Sequence, residues 1–223
     1  LLSKVPHPVK GLYEQNGVFD GVLIKNLNMI IVGGAFGTVF GTIVSGSTYA
    51  GFIKALDFSD FQYGLLLGIP IVANFSQLVA SRVIERNGRR MKWFFISGFT
   101  HRAIWIVAAF IPYMFPDSVA ESRIWAVLFI ATLTAVSGSF INITFNSLLA
   151  DVTPIGIRGK YLSIRSKIAT LASMVVGLLA AWLLDSLHGF LPFTIVFIVA
   201  AFAGIYDISR FFHVKAPPMR LAE

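Results

Sequence analysis

Few residues in this chain can do chemistry, and most of them lie inside apolar runs where a polar group needs a reason to be. His101-Arg102 falls near the middle of the apolar stretch 91–115. At about 1.5 Å per helical residue, Arg102 stands roughly 15 Å from either end, too deep for easy snorkelling. A guanidinium at that depth in hydrocarbon costs on the order of 2.5–3.5 kcal/mol or more unless it faces protein or water. No Asp or Glu is found at a matching depth, so the counter-charge is left to backbone carbonyls, to protein outside this chain, or to an anionic solute. Thr132, Ser139, Asn142 and Asn146 recur at steps of seven, three and four and make one polar face of the stretch 124–149. Asn74, Gln77 and Ser81 form a shorter stripe at the end of 61–80. Amides there require either a neighbouring helix or a water-filled cavity, and both remain open. Thr38 and Thr42 flank Gly33, Gly37, Gly41 and Ser45, whose four-residue spacing suits close helix packing.

These groups suit hydrogen bonding to a small solute rather than bond-breaking. The chain has no cysteine, which excludes disulfides and thiolate metal sites. His7, His101, His188 and His213 are scattered, and there is no nucleophile–base pair, phosphate loop or metal cluster. Neither an enzyme nor a cofactor is expected.

The elements that must position these residues follow from composition. Hydrophobic residues make up 56% and charged residues 13%, about half the share usual in soluble proteins. A membrane-spanning helix needs about 20 apolar residues. Six runs meet that need: 27–53, 61–80, 91–115, 124–149, 168–184 and 190–212. The expected fold is an all-α membrane protein, six transmembrane helices in one bundle over 27–212. Residues 1–26 read as a cytoplasmic lead-in, with Val18, Phe19, Val22 and Leu23 on one face of a possible interfacial helix. Residues 213–223, with Pro217 and Pro218, read as the start of a cytoplasmic linker. Pro70 is expected to bend the second helix. Asp57 to Asp60 should cap its start, and Asp207 and Arg210, three apart, should pair at the end of the sixth.

The net charge of +7 is explained by where the charges fall. Of the 18 Lys and Arg residues, 15 lie in the N-terminal lead-in, the stretch 82–92, the stretch 158–167 and the C-terminal end. Lys54 and Arg123 lie on the opposite side. The positive-inside rule then places both termini in the cytoplasm, and the charge is no nucleic-acid footprint. An integral protein of the plasma (inner) membrane is expected.

Two loops carry a more specific signal. Between the second and third runs stands Ser81-Arg82-Val83-Ile84-Glu85-Arg86-Asn87-Gly88-Arg89-Arg90. Between the fourth and fifth stands Asp151-Val152-Thr153-Pro154-Ile155-Gly156-Ile157-Arg158-Gly159-Lys160-Tyr161. The first resembles the G-x-L-A-D-R-x-G-R-R/K signature of the major facilitator superfamily. Arg86, Gly88, Arg89 and Arg90 match, Glu85 stands for the usual Asp, and Ser81 for the leading Gly. The second resembles that family's D-x-x-P…R-G-K/R-Y/F signature, with Gly159 expected to permit a tight turn into the fifth helix.

The resemblance implies half of a 12-helix fold, with two inverted three-helix repeats that the residues themselves do not reveal. With no initial Met and an end near the family's linker, the chain reads as the N-terminal bundle. Its partner would be a C-terminal six-helix bundle or a second copy. The implied function is secondary active transport of a small solute by alternating access. The competing reading is a transport-inactive half-bundle serving as a structural subunit or assembly factor. In the transporter reading Thr38, Thr42, Asn74, Gln77, Arg102, Ser139, Asn142 and Asn146 line the solute path. Glu85, Arg86, Gly88, Arg89, Arg90, Asp151, Arg158 and Gly159 form a conformational latch.

Overall fold

A computed structural model describes residues 21–115 and 119–214. The expected interfacial helix and the linker start fall largely outside them. Among the described residues there are eight α-helices: α1 (Gly21–Ser45), α2 (Ser47–Ala55), α3 (Asp60–Ala73), α4 (Ser76–Asn87), α5 (Arg90–Met114), α6 (Ala120–Val152), α7 (Ile155–Ser186) and α8 (Leu191–Arg210). A 3-10 turn, Phe211–His213, follows α8. They make six spans long and apolar enough to cross a membrane, α1 with α2 forming the first and α3 with α4 the second. No strand occurs among the described residues. Each connection between spans is too short to recross the bundle, so successive spans run antiparallel.

Two helices start earlier than their apolar runs. The first helix is already formed at Gly21, and α7 begins at Ile155 rather than near 168. The turn between α6 and α7 is only Thr153-Pro154. Gly156 and Gly159 lie within the first turns of α7, so the expectation that Gly159 makes the turn is corrected. Pro154 makes it, because a proline fits the start of a helix and not its interior.

Two spans are interrupted. The first breaks at Gly46, where the chain folds so tightly that any Cβ would strike the Thr42 carbonyl. The second runs through Pro70 and breaks one turn later, at Asn74-Phe75, not at the proline itself. There the bonds shorten to the i→i+3 pattern, from Phe75 N–H to Val72 and from Gln77 N–H to Asn74. The Ala73 carbonyl accepts from the Ser76 hydroxyl at 2.6 Å and from Ser139 on α6 at 3.1 Å. Ser59 caps α3 as expected, accepting from Gln62 N–H while the Gln62 side chain accepts from Ser59 N–H.

The packing holds an internal symmetry that the sequence hides. Span 1 packs on spans 5 and 6, span 4 packs on spans 2 and 3, and span 3 packs on span 6. Exchanging 1 with 4, 2 with 5 and 3 with 6 returns the same set, and each exchanged pair runs in opposite directions. The first three spans are thus an inverted counterpart of the last three.

The apolar core is divided in two. One cluster centres on Phe52, Trp105, Phe197 and Ala200. The other, nearer the 81–90 loop, centres on Leu27, Phe94, Tyr161 and Phe211. Spans 2 and 5 contribute least. Only 17% and 6% of their apolar windows are buried, against 56% for span 6. The bundle therefore leaves these two spans to be covered by lipid or by another protein.

Candidate functional site

Between the two apolar clusters lies a layer of charge. Arg102 on α5 donates to Asp207 Oδ2 on α8 at 3.4 Å and to His101 Nδ1 at 2.9 Å. Its guanidinium stands 4.6 Å from the centroid of the Phe40 ring. The Arg102 and Asp207 side chains are only 9% and 11% exposed. The expectation that no acid reaches Arg102 is therefore corrected, as is the pairing of Asp207 with Arg210. The reason is side-chain direction. A long side chain on a helix leans toward the helix N-terminus, which for α5 is the end nearest the 81–90 loop. Arg102 thus reaches well below its own Cα, down to an acid near the end of α8.

Glycines make the room. A Cβ at Gly37 would stand 2.5 Å from Asp207 Oδ2, and one at Gly33 3.0 Å from Oδ1. A Cβ at Gly204 would stand 2.6 Å from Arg102 Cγ. Part of the stripe on α1 therefore accommodates a carboxylate as well as a neighbouring helix. Gly41, the next member, meets nothing within 4 Å.

Arg165 on α7 completes the layer. Read from sequence it belonged with the loop charges, but the early start of α7 carries it inside the bundle. Ile157, Tyr161 and Arg165 recur every four residues, and the first two are fully buried, which is the signal that could have placed it. Its guanidinium lies 4.9 Å from the Phe145 ring centroid. Its Nε is buried with no hydrogen-bond partner, and Asp207 interacts electrostatically with both Arg102 and Arg165.

Two cavities meet at Arg102. The larger, about 610 Å³, is lined by α1, α2, α3, α5 and α6. Its walls include the aromatic rings of Phe40, Tyr49, Tyr63 and Trp105, with His101, Arg102, Thr134 and Asn142 as polar groups. The Trp105 indole N–H is buried there without a partner. The smaller, about 220 Å³, is lined by Gly34, Gly37, Thr38, Arg102, Arg165 and Asp207 among others. Gly37, Arg102, Ile141 and Phe145 border both.

Of the residues singled out from sequence, Arg102 and Asn142 line the larger cavity and Thr38 the smaller. Thr42, Asn74, Gln77, Ser139 and Asn146 line neither. Asn146 donates to Asn142 Oδ1 at 2.7 Å, Gln77 to Asn74 Oδ1 at 3.0 Å, and Ser139 to the carbonyls of Ala135 and Ala73. Asp207, Arg165, Trp105, Phe40 and Tyr49 were not expected there. No group of three metal-ligating side chains occurs among the described residues.

At the loop end a second ion pair joins α5 to α6. Arg90, buried at the start of α5, pairs with Asp151 and donates to Ser147 Oγ at 2.9 Å. Arg158 donates to the Ala150 carbonyl at 2.7 Å and to that of Thr153 at 3.1 Å, closing the C-terminal end of α6. Gly88 ends α4 in the left-handed conformation, φ 58°, with its N–H on the Ile84 carbonyl. Glu85, Arg86 and Arg89 are exposed. Arg86, Arg89, Lys92 and Trp93 surround an open recess at this surface.

Six antiparallel apolar spans with a polar layer and an open central cavity define an integral membrane bundle of transporter type. The family model of the Major Facilitator Superfamily matches residues 30–222, and the chain belongs to that family. Members of the family are transporters rather than enzymes. No curated protein and no solved structure matches the chain significantly.

Proposed function

We propose that this chain is the N-terminal bundle of a secondary active transporter that moves a small solute by alternating access. The observation that carries the reading is the cavity of about 610 Å³ bordered by spans 1 to 4, within the size range of small-molecule sites. The second span, which lines part of it, leaves a mostly uncovered side. A second six-helix bundle, or a second copy of this one, would close that side, and rocking of one against the other would expose the cavity to each face in turn. Asn142 would contact the solute from α6. The exposed Glu85, Arg86 and Arg89 would engage the partner bundle as the latch, while Arg90, Asp151 and Arg158 hold the loop to its own bundle. The charge distribution supports a plasma (inner) membrane location with both termini in the cytoplasm.

The test uses the full-length protein on a background free of cysteine, as this segment already is. Asn142→Cys is exposed to a membrane-impermeant thiol reagent in intact cells and in inverted vesicles. Alternating access predicts reaction from both faces, with substrate shifting the balance. Reaction from one face only, under every condition, would defeat the proposal.

A further inference from the structure

The charged layer is short of one negative charge. Arg102 and Arg165 face a single carboxylate, Asp207, and His101 accepts from Arg102 and so supplies no charge of its own. Arg165 makes no hydrogen bond within the described protein, and the Nε atoms of both arginines are buried without partners. Guanidinium groups held between helices in this way call for a counter-ion. The space for one exists, the cavity of about 220 Å³ that both arginines line.

The two cavities differ in character and touch at Arg102. One is small and charged. The other is large and walled by Phe40, Tyr49 and Trp105, whose indole N–H is buried without a partner. A solute filling both would have an anionic head and an apolar body. We propose that the solute is an organic monoanion, its carboxylate seated between Arg102 and Arg165 and its apolar or aromatic body in the larger compartment. A single negative charge balances the layer. A dianion such as a phosphate monoester would leave it negative beside Asp207. The inference deepens the transport reading and rests on it for the role of the cavity.

The experiment is a binding measurement on the purified full-length protein in neutral detergent, which removes anionic lipid as a source of the ligand. The probes are a panel of aromatic and aliphatic carboxylates, each matched with its primary amide, together with phenyl phosphate. Thermal stabilisation and quenching of tryptophan emission report binding. Carboxylates are expected to bind roughly tenfold or more tightly than their amides, since the amide forfeits charge-assisted hydrogen bonds. Arg165→Gln should remove that preference, Arg165→Lys should keep part of it, and Trp105→Phe should remove most of the quenching. Arg165 is the residue to change because its loss breaks no hydrogen bond of the fold. Equal binding of acids and amides, a preference unchanged in Arg165→Gln, tighter binding of phenyl phosphate, or no binding by any carboxylate would each overturn the proposal. Charge-selective binding with Asn142→Cys reachable from one face alone would keep the anion site and discard alternating access.

Discussion

Arg90 and Arg102 lie on the same helix, and each binds an aspartate of another span, yet the two pairs are built differently. Asp151, the partner of Arg90, is 38% exposed, so water shares in solvating it. Among the described residues no glycine is placed to make room for it. Asp207 is 11% exposed, and three glycines on two helices withdraw their side chains so that it and Arg102 can meet. Near the surface, solvent does part of the work of holding a charge. In the interior the backbone must be shaped to do it, and the sequence records that as glycines at four-residue spacing. The lesson is energetic. Loss of Asp207 leaves Arg102 only the neutral His101 ring, deep in the bundle, whereas loss of Asp151 leaves Arg90 the Ser147 hydroxyl at an end that solvent can reach.

The largest effect should therefore come from Asp207→Ala. Removing one partner of a buried pair typically costs about 3–5 kcal/mol, because the other charge is left stranded. Denaturation of the purified protein should register that loss. The double variant Arg102→Met with Asp207→Leu should regain part of it, since it removes the charge stranded at Arg102 but leaves Arg165 without its carboxylate. If Asp207→Ala unfolds at the same denaturant concentration as the wild type, water reaches the layer freely and the contrast drawn above is wrong.

Next in size is Gly37→Ala. Its Cβ would stand 2.5 Å from Asp207 Oδ2, and overpacking of this kind costs about 1–3 kcal/mol. Gly41→Ala, one turn further along α1 and facing open space, is the control. Alanine is the better helix former by about 1 kcal/mol, so that variant should be neutral or more stable. Equal behaviour of the two variants would mean that Gly37 serves packing alone, with no special tie to the carboxylate.

What could be read from the sequence follows the same division between surface and interior. The six spans were legible because bilayer thickness sets a length that composition reveals. The two loops were legible because their charges cannot enter hydrocarbon. Helix ends were less so. Residues 155–167 are mixed in polarity, yet α7 is helical through them, since a helix needs only one apolar face to pack and can extend past the hydrocarbon. The site was legible in part. Arg102 and Asn142 line the larger cavity, but depth counted along the axis treats an arginine as if its charge sat at Cα, which hid Asp207. The hydroxyls have partners within their own helices. Thr38 and Ser139 bond back to carbonyls one turn away, at 2.8 and 3.1 Å, as serine and threonine in helices often do. The internal repeat was invisible in the residues because it is a property of which spans pack, and many sequences satisfy the same packing.

The smallest effects are expected at the outer pair. Asp151→Ala removes a carboxylate already half shared with water. Arg90 keeps the Ser147 hydroxyl at 2.9 Å, and it lies at the loop end of the bundle, where solvent can enter the space left by the carboxylate. The pair is half-buried, with Arg90 3% and Asp151 38% exposed, so the loss should fall between the about 0–1 kcal/mol of exposed pairs and the about 3–5 kcal/mol of fully buried ones. It should shrink as ionic strength rises, because salt screens the wild-type pair. Ser147→Ala removes only the neutral acceptor and should cost about 0.5–1 kcal/mol, with no dependence on salt. The two variants together should differ from the two losses added, since both acceptors serve the same guanidinium. Denaturation in low and high salt measures all three quantities. A loss at Asp151 as large as that at Asp207, and insensitive to salt, would show that the loop pair is solvated by protein alone, and the exposure of the two aspartates would then no longer separate the two pairs.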